Sequence, residues 1–100
     1  MSGLNENIIQ QICSVLPSFP QVDAAVLYGS RAKGNYKPGS DIDLTLKGNF
    51  DLSILNSISL KLDDLYLPYM FDLSIHHHIN DPDMIDHISR VGIELYSKGH

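Results

Sequence analysis

Cysteine occurs once in the 100 residues, at Cys13, and tryptophan not at all. A lone cysteine excludes an internal disulfide framework and a zinc module built from several thiolates. It suits a reducing compartment, and the cytoplasm is the expected location. Basic residues are scarce as well: seven lysines and arginines stand against twelve aspartates and glutamates, for a formal net charge of −5. A surface that grips nucleic acid through its phosphates carries a basic stripe, so direct nucleic-acid binding is not expected. The acidic balance suits a site where bound cations supply the positive charge that a nucleotide needs. No apolar run approaches the ~20 residues that cross a bilayer. Residues 1–6 lack the basic start and apolar core of a secretory signal, so no membrane association is expected. Length and apolar content point to one small domain over residues 1–100.

Two hydrophobic periods organise what remains. Leu4, Ile8, Ile12 and Val15 recur at helical spacing ahead of Pro17 and Pro20, which predicts an amphipathic helix over 5–16. Residues 22–28 form a short apolar run ending at Gly29, as in a buried strand. Ser30 reads as the N-cap of a short helix from Ala32 to about Tyr36, and Pro38-Gly39 as a turn. Residues 41–47 alternate strictly, with Ile42, Leu44 and Leu46 on one face and Asp41, Asp43 and Thr45 on the other.

Asp51 caps a further predicted helix striped by Leu52, Leu55, Ile58, Leu62 and Leu65. A third strand runs from Tyr69 to about His76, with Phe71, Leu73 and Ile75 opposite Asp72, Ser74 and His76, and His78 in line with them if the strand continues. Asp81-Pro82 opens the last helix, buried through Met84, Ile85 and Ile88 and ended by Gly92, before a short strand over 93–96. The alternation of helix and strand predicts an α/β (α+β) domain, one small mixed sheet flanked by helices.

Chemistry concentrates between Gly29 and Leu44. Gly29 permits a sharp turn with no side chain to obstruct a ligand. The amides after it open a helix, whose N-terminus favours anions, and the Ser30 hydroxyl adds a donor for a phosphate oxygen. Arg31 and Lys33 are near enough to add charge, or to face water. The segment does not match the P-loop pattern. Asp41 and Asp43, at i and i+2 of one strand, emerge on one face roughly 6–7 Å apart. Aspartates are depleted in strand interiors, and a close pair repels unless a cation lies between them. Hard oxygen donors of this kind suit Mg²⁺. Asp72 repeats the pattern, Phe71-Asp72-Leu73 against Ile42-Asp43-Leu44. If the two strands are neighbours it joins the pair, as a metal ligand and a base toward an incoming hydroxyl.

Gly29-Ser30, the basic-small-basic stretch to Gly34, and Ser40-Asp41-Ile42-Asp43-Leu44 together resemble the signature of minimal nucleotidyltransferases (MNT), within the DNA polymerase β-like superfamily. The similarity covers about residues 22–76. It implies a nucleotidyltransferase fold in which Gly29, Ser30 and Arg31 bind the nucleotide and Asp41, Asp43 and Asp72 hold Mg²⁺, two ions being expected. It further implies transfer of a nucleoside monophosphate, AMP from ATP, to a hydroxyl of a partner protein. Chains of this size resemble antitoxins paired with an all-helical HEPN ribonuclease, so a hetero-oligomer is expected. Two alternatives stay open: the catalytic subunit of a two-subunit transferase for a small substrate, and a non-catalytic module that inhibits its partner by occlusion.

Three other features have ordinary readings beside functional ones. His76 and His78, on the strand face of Asp72, suit a transition metal, the rim of a nucleotide pocket, or simply a polar strand end. Cys13, near a buried stripe, reads as inert packing. Tyr28 and Tyr36 flank the phosphate turn, where packing competes with stacking on a base.

Overall fold

A computed structural model describes residues 3–37 and 39–98. Pro38 of the expected Pro38-Gly39 turn and the first two residues of the N-terminal segment lie outside that range. The elements run α1 (Glu6–Val15), a 3₁₀ turn (Leu16–Ser18), β1 (Val22–Tyr28), α2 (Gly29–Lys33), β2 (Ile42–Gly48), α3 (Leu52–Asp63), β3 (Phe71–Ile75), a 3₁₀ turn (His76–His78), α4 (Pro82–Val91) and β4 (Ile93–Ser97). The sheet order is β3-β2-β1-β4. β1 lies antiparallel to β2 and β4, while β2 and β3, connected through α3, are parallel. The expected mixed α/β sheet flanked by helices is therefore what forms.

The side-chain period of two divides this sheet into unlike faces. Leu27, Leu44 and Leu73 lie in one row across β1, β2 and β3, with Ala25, Leu46 and Ile75 in the next. These residues meet Ile12 and Leu16 from the first helix and its following turn, and Leu55, Ile58 and Leu62 from α3, in one apolar cluster. The helices begin where their sequence permits. Asn5 accepts the amide of Ile8 at 2.8 Å, Asp51 that of Ile54 at 3.3 Å and Asp81 that of Asp83 at 3.0 Å, each satisfying an otherwise orphaned donor.

Three stripe residues depart from expectation. Leu52, the first residue of α3, is 58% exposed. On α4 only Ile88 is buried; Met84 and Ile85 stay partly exposed, since α4 packs over one strand of the opposite face rather than across the whole core. Among the described residues no helix is long and apolar enough to cross a membrane.

The expected consequence is asymmetric sensitivity. Leu44→Ala, at a residue 1% exposed, should cost about 2–5 kcal/mol in urea unfolding, whereas Leu60→Ala, at a residue 67% exposed, should stay within about 0.5 kcal/mol.

Candidate active site

Strand register assembles the polar face. Tyr28 pairs with Asp43 across β1 and β2, and Asp43 with Asp72 across β2 and β3. Directly paired residues project to the same side. The Asp72 carboxyl therefore shares a face with that of Asp43, about one strand spacing (~4.8 Å) away. The next row holds Val26, Thr45 and Ser74, and the hydroxyls of Thr45 and Ser74 are buried with no hydrogen-bond partner among the described residues. Buried polar atoms seldom stay unpaired, and here two do so beneath the carboxylate row.

The glycine-serine turn abuts this row. Gly29 adopts a φ of +75°, and a Cβ built on it would overlap Asp43 Oδ2. Only glycine satisfies both conditions. α2 starts two residues earlier than expected, at Gly29 itself, so Tyr28 rather than Ser30 is the N-cap and Ser30 sits inside the first turn. Gly34 closes the helix in the left-handed conformation.

Sequence reasoning missed His87. Its Nε2 accepts the Gly29 amide at 3.1 Å, and its ring meets Tyr28 edge-on at 6.2 Å. α4 brings it from 58 residues along the chain, so no local signal marked it. The Asp43 carboxyl is raised above the usual carboxylate range, first by burial and then by the charges of Asp72 and Asp41, with His87 opposing. Burial likewise raises the Tyr28 phenol, and Asp72 and Asp43 push the same way. The Ser74 hydroxyl lies near enough to oppose that shift, although no hydrogen bond of good geometry forms.

Other expected residues lie elsewhere. Asp41 precedes β2 and is exposed. Among the described residues, no group of three or more His, Cys, Asp or Glu side chains lies close enough to hold a metal. Asp43 and Asp72 are adjacent, but the third carboxylate does not close on them. Arg31 is 2% exposed and lies between the rings of Tyr36 and Tyr69, at 5.2 and 4.8 Å from their centroids, donating to the Ser40 carbonyl. Lys33 faces water.

His76–His78 do not continue β3. They form a 3₁₀ turn, so strand alternation no longer aligns them with Asp72 and they gather no metal site. His76 instead lines a cleft of about 420 Å³ with Val26, Lys47, Ile85 and Ile88, and its pKa is lowered by burial and by Lys47. Cys13 donates to the Leu95 carbonyl at 3.1 Å and its thiol is raised by burial, in keeping with inert packing. Tyr36 covers Arg31 and Tyr28 meets His87, so both tyrosines have packing roles.

Residues 10–100 match the family model for Polymerase beta, Nucleotidyltransferase. Among solved structures, a crystal structure of a toxin-antitoxin with AMP-PNP superposes with a TM-score of 0.73 at 22% identity, covering 95% of this chain and 75% of that one. The MntA-HepT toxin-antitoxin gives a TM-score of 0.70 at 16% identity, over 94% and 74% of the two chains. A tri-AMPylated Shewanella oneidensis HEPN toxin in complex with MNT antitoxin gives a TM-score of 0.63 at 20% identity, over 98% and 74%. At these identities the likeness establishes the fold. Among curated proteins no sequence matches.

Two outcomes follow from this geometry. Gly29→Ala should lose about 1–2 kcal/mol from the positive φ alone, and more from displacing Asp43, as read by urea unfolding. A raised carboxyl pKa means that the folded chain binds more protons than the unfolded chain from about pH 4 upward, so stability falls as pH rises through that window. Removing the charge should then help: in metal-free buffer at neutral pH, Asp43→Asn should melt above the wild type. A lower melting temperature would contradict the repulsion.

Proposed function

Because the chain belongs to the Polymerase beta nucleotidyltransferase family, we propose that it transfers a nucleoside monophosphate, AMP from ATP, to a hydroxyl of a partner protein. The observation that carries this reading is the contact of the Gly29 turn with Asp43, whose carboxylate stands in register with Asp72. An anion-binding turn and a carboxylate pair on one sheet face are what a metal-assisted phosphoryl site requires.

The donor set fits Mg²⁺. It consists of hard carboxylate oxygens whose burial, and then mutual repulsion, raise the Asp43 pKa, and a divalent cation would offset both. Asp43 and Asp72 would hold the ion, with Asp41 swinging in from the exposed loop as a third ligand. Bound there, the ion supplies charge neutralisation for the transferred phosphate and the departing pyrophosphate.

The chain's own groups do the rest. The Ser30 amide and hydroxyl, presented by the turn at Gly29, hold the β- and γ-phosphates. Asp72, exposed at the end of the row, accepts the proton of the attacking hydroxyl as its oxygen bonds to the α-phosphorus and the bond to pyrophosphate breaks.

The similar structures support the choice of nucleotide and acceptor. One holds AMP-PNP and another contains an AMPylated HEPN toxin. By that analogy the partner here is a small helical HEPN-type protein and the assembly a toxin-antitoxin pair.

ATP labelled on the α-phosphate, incubated with Mg²⁺, this chain and the HEPN-type partner, should label the partner. Asp43→Asn and Asp72→Asn should each slow labelling by about 100-fold or more, the scale of several kcal/mol of lost charge stabilisation. If no label appears and Asp43→Asn neutralises the partner as well as wild type, inhibition is by occlusion and the catalytic reading fails.

A further inference from the structure

Arg31 is buried at 2% exposure, and its guanidinium reaches one acceptor twice: Nε and Nη2 donate to the Ser40 carbonyl at 3.1 and 2.9 Å. That carbonyl belongs to the peptide joining Ser40 to Asp41. The rings of Tyr36 and Tyr69 hold the guanidinium from the loop and from the approach to β3. The loop is tied down further by the Lys37 amide on Ser40 Oγ at 2.8 Å and by the Ser40 amide on the Lys37 carbonyl at 2.9 Å. One residue past Asp41, the Ile42 amide enters the ladder on the Met70 carbonyl at 2.8 Å. Asp41 is thus the single residue between a carbonyl fixed by arginine and a strand fixed by its neighbour.

We infer that Arg31 is a positioning residue for Asp41: its fork orients the Ser40–Asp41 peptide so that the exposed carboxylate can close on the ion held by Asp43 and Asp72. The inference rests on the metal-assisted reading above. Burying a cation to hold a backbone carbonyl is costly for packing alone. A planar fork between two rings is a task for which lysine has the charge but not the shape.

The test measures Mn²⁺ binding to the purified full chain by electron paramagnetic resonance, with no nucleotide and no acceptor, on variants shown to be folded by circular dichroism. Arg31→Lys should weaken Mn²⁺ binding by about tenfold, as loss of a partner that orients a ligand does. In an Asp41→Asn background the same change should add less than about twofold, because both act through one carboxylate. Should Arg31→Lys fail to fold, Tyr36→Leu, which keeps the fork and removes one ring, should weaken binding in the same direction by about two- to threefold.

Wild-type Mn²⁺ affinity in a folded Arg31→Lys, or failing that in Tyr36→Leu, while Asp41→Asn is impaired, would overturn the inference and leave the metal site intact. Full additivity of Arg31→Lys with Asp41→Asn would overturn it too. If Asp41→Asn and Asp43→Asn both bind like wild type, the metal site itself is wrong and the inference falls with it.

Discussion

The parallel pairing of β2 with β3 carries the rest of the molecule. It sets Asp43 beside Asp72 on one face, and Leu44 beside Leu73 and Leu46 beside Ile75 on the other. A shift of one residue in either strand would turn that strand's carboxylate into the core and its leucine into water. The apolar cluster beneath α1 and α3 therefore enforces the register, and the register assembles the carboxylate pair. Core and candidate site are two faces of a single constraint.

The arrangement has a local cost. Burial first, and then the neighbouring carboxylates, raise the Asp43 and Tyr28 pKa values, and two buried hydroxyls in the next row stay unpaired among the described residues. Such a row is a poor way to stabilise a sheet and a good way to receive a cation. The remaining contacts converge on it. Gly29 approaches Asp43 where any side chain would collide, His87 secures the Gly29 amide from α4, and Arg31 secures the backbone leading to Asp41. Two helices distant in sequence, α2 and α4, thus hold one turn and one loop around one pair of acids.

The site and the core also divide the chemistry of the strands cleanly. Alternation in residues 41–47 and 71–75 was legible because a half-buried strand has a period of two, and both expected faces form. The helix of 6–15 was legible through its apolar spacing and the prolines that follow it, and that of 52–63 through the Asp51 cap and its apolar spacing. Expectation failed where a residue's role is set by something remote. Ser30 looked like a cap, yet the helix begins at Gly29 because the backbone turns there to pass Asp43. His76–His78 looked like strand, yet the chain leaves the sheet at Ile75. Ile85 belongs to the expected buried stripe with Ile88, yet it lines an open cleft.

From the sequence alone came the family resemblance, the class of fold, the glycine-serine turn and the identity of the three aspartates. All of these are written in short stretches, because turn chemistry and strand alternation act between near neighbours. The tertiary structure alone decided that Asp43 and Asp72 stand side by side while Asp41 remains in the loop. It also decided that Arg31 turns inward to a carbonyl and that His87 reaches the turn from 58 residues away. Strand register and helix docking bring distant residues together through the packing of the whole core, which no local window of sequence contains.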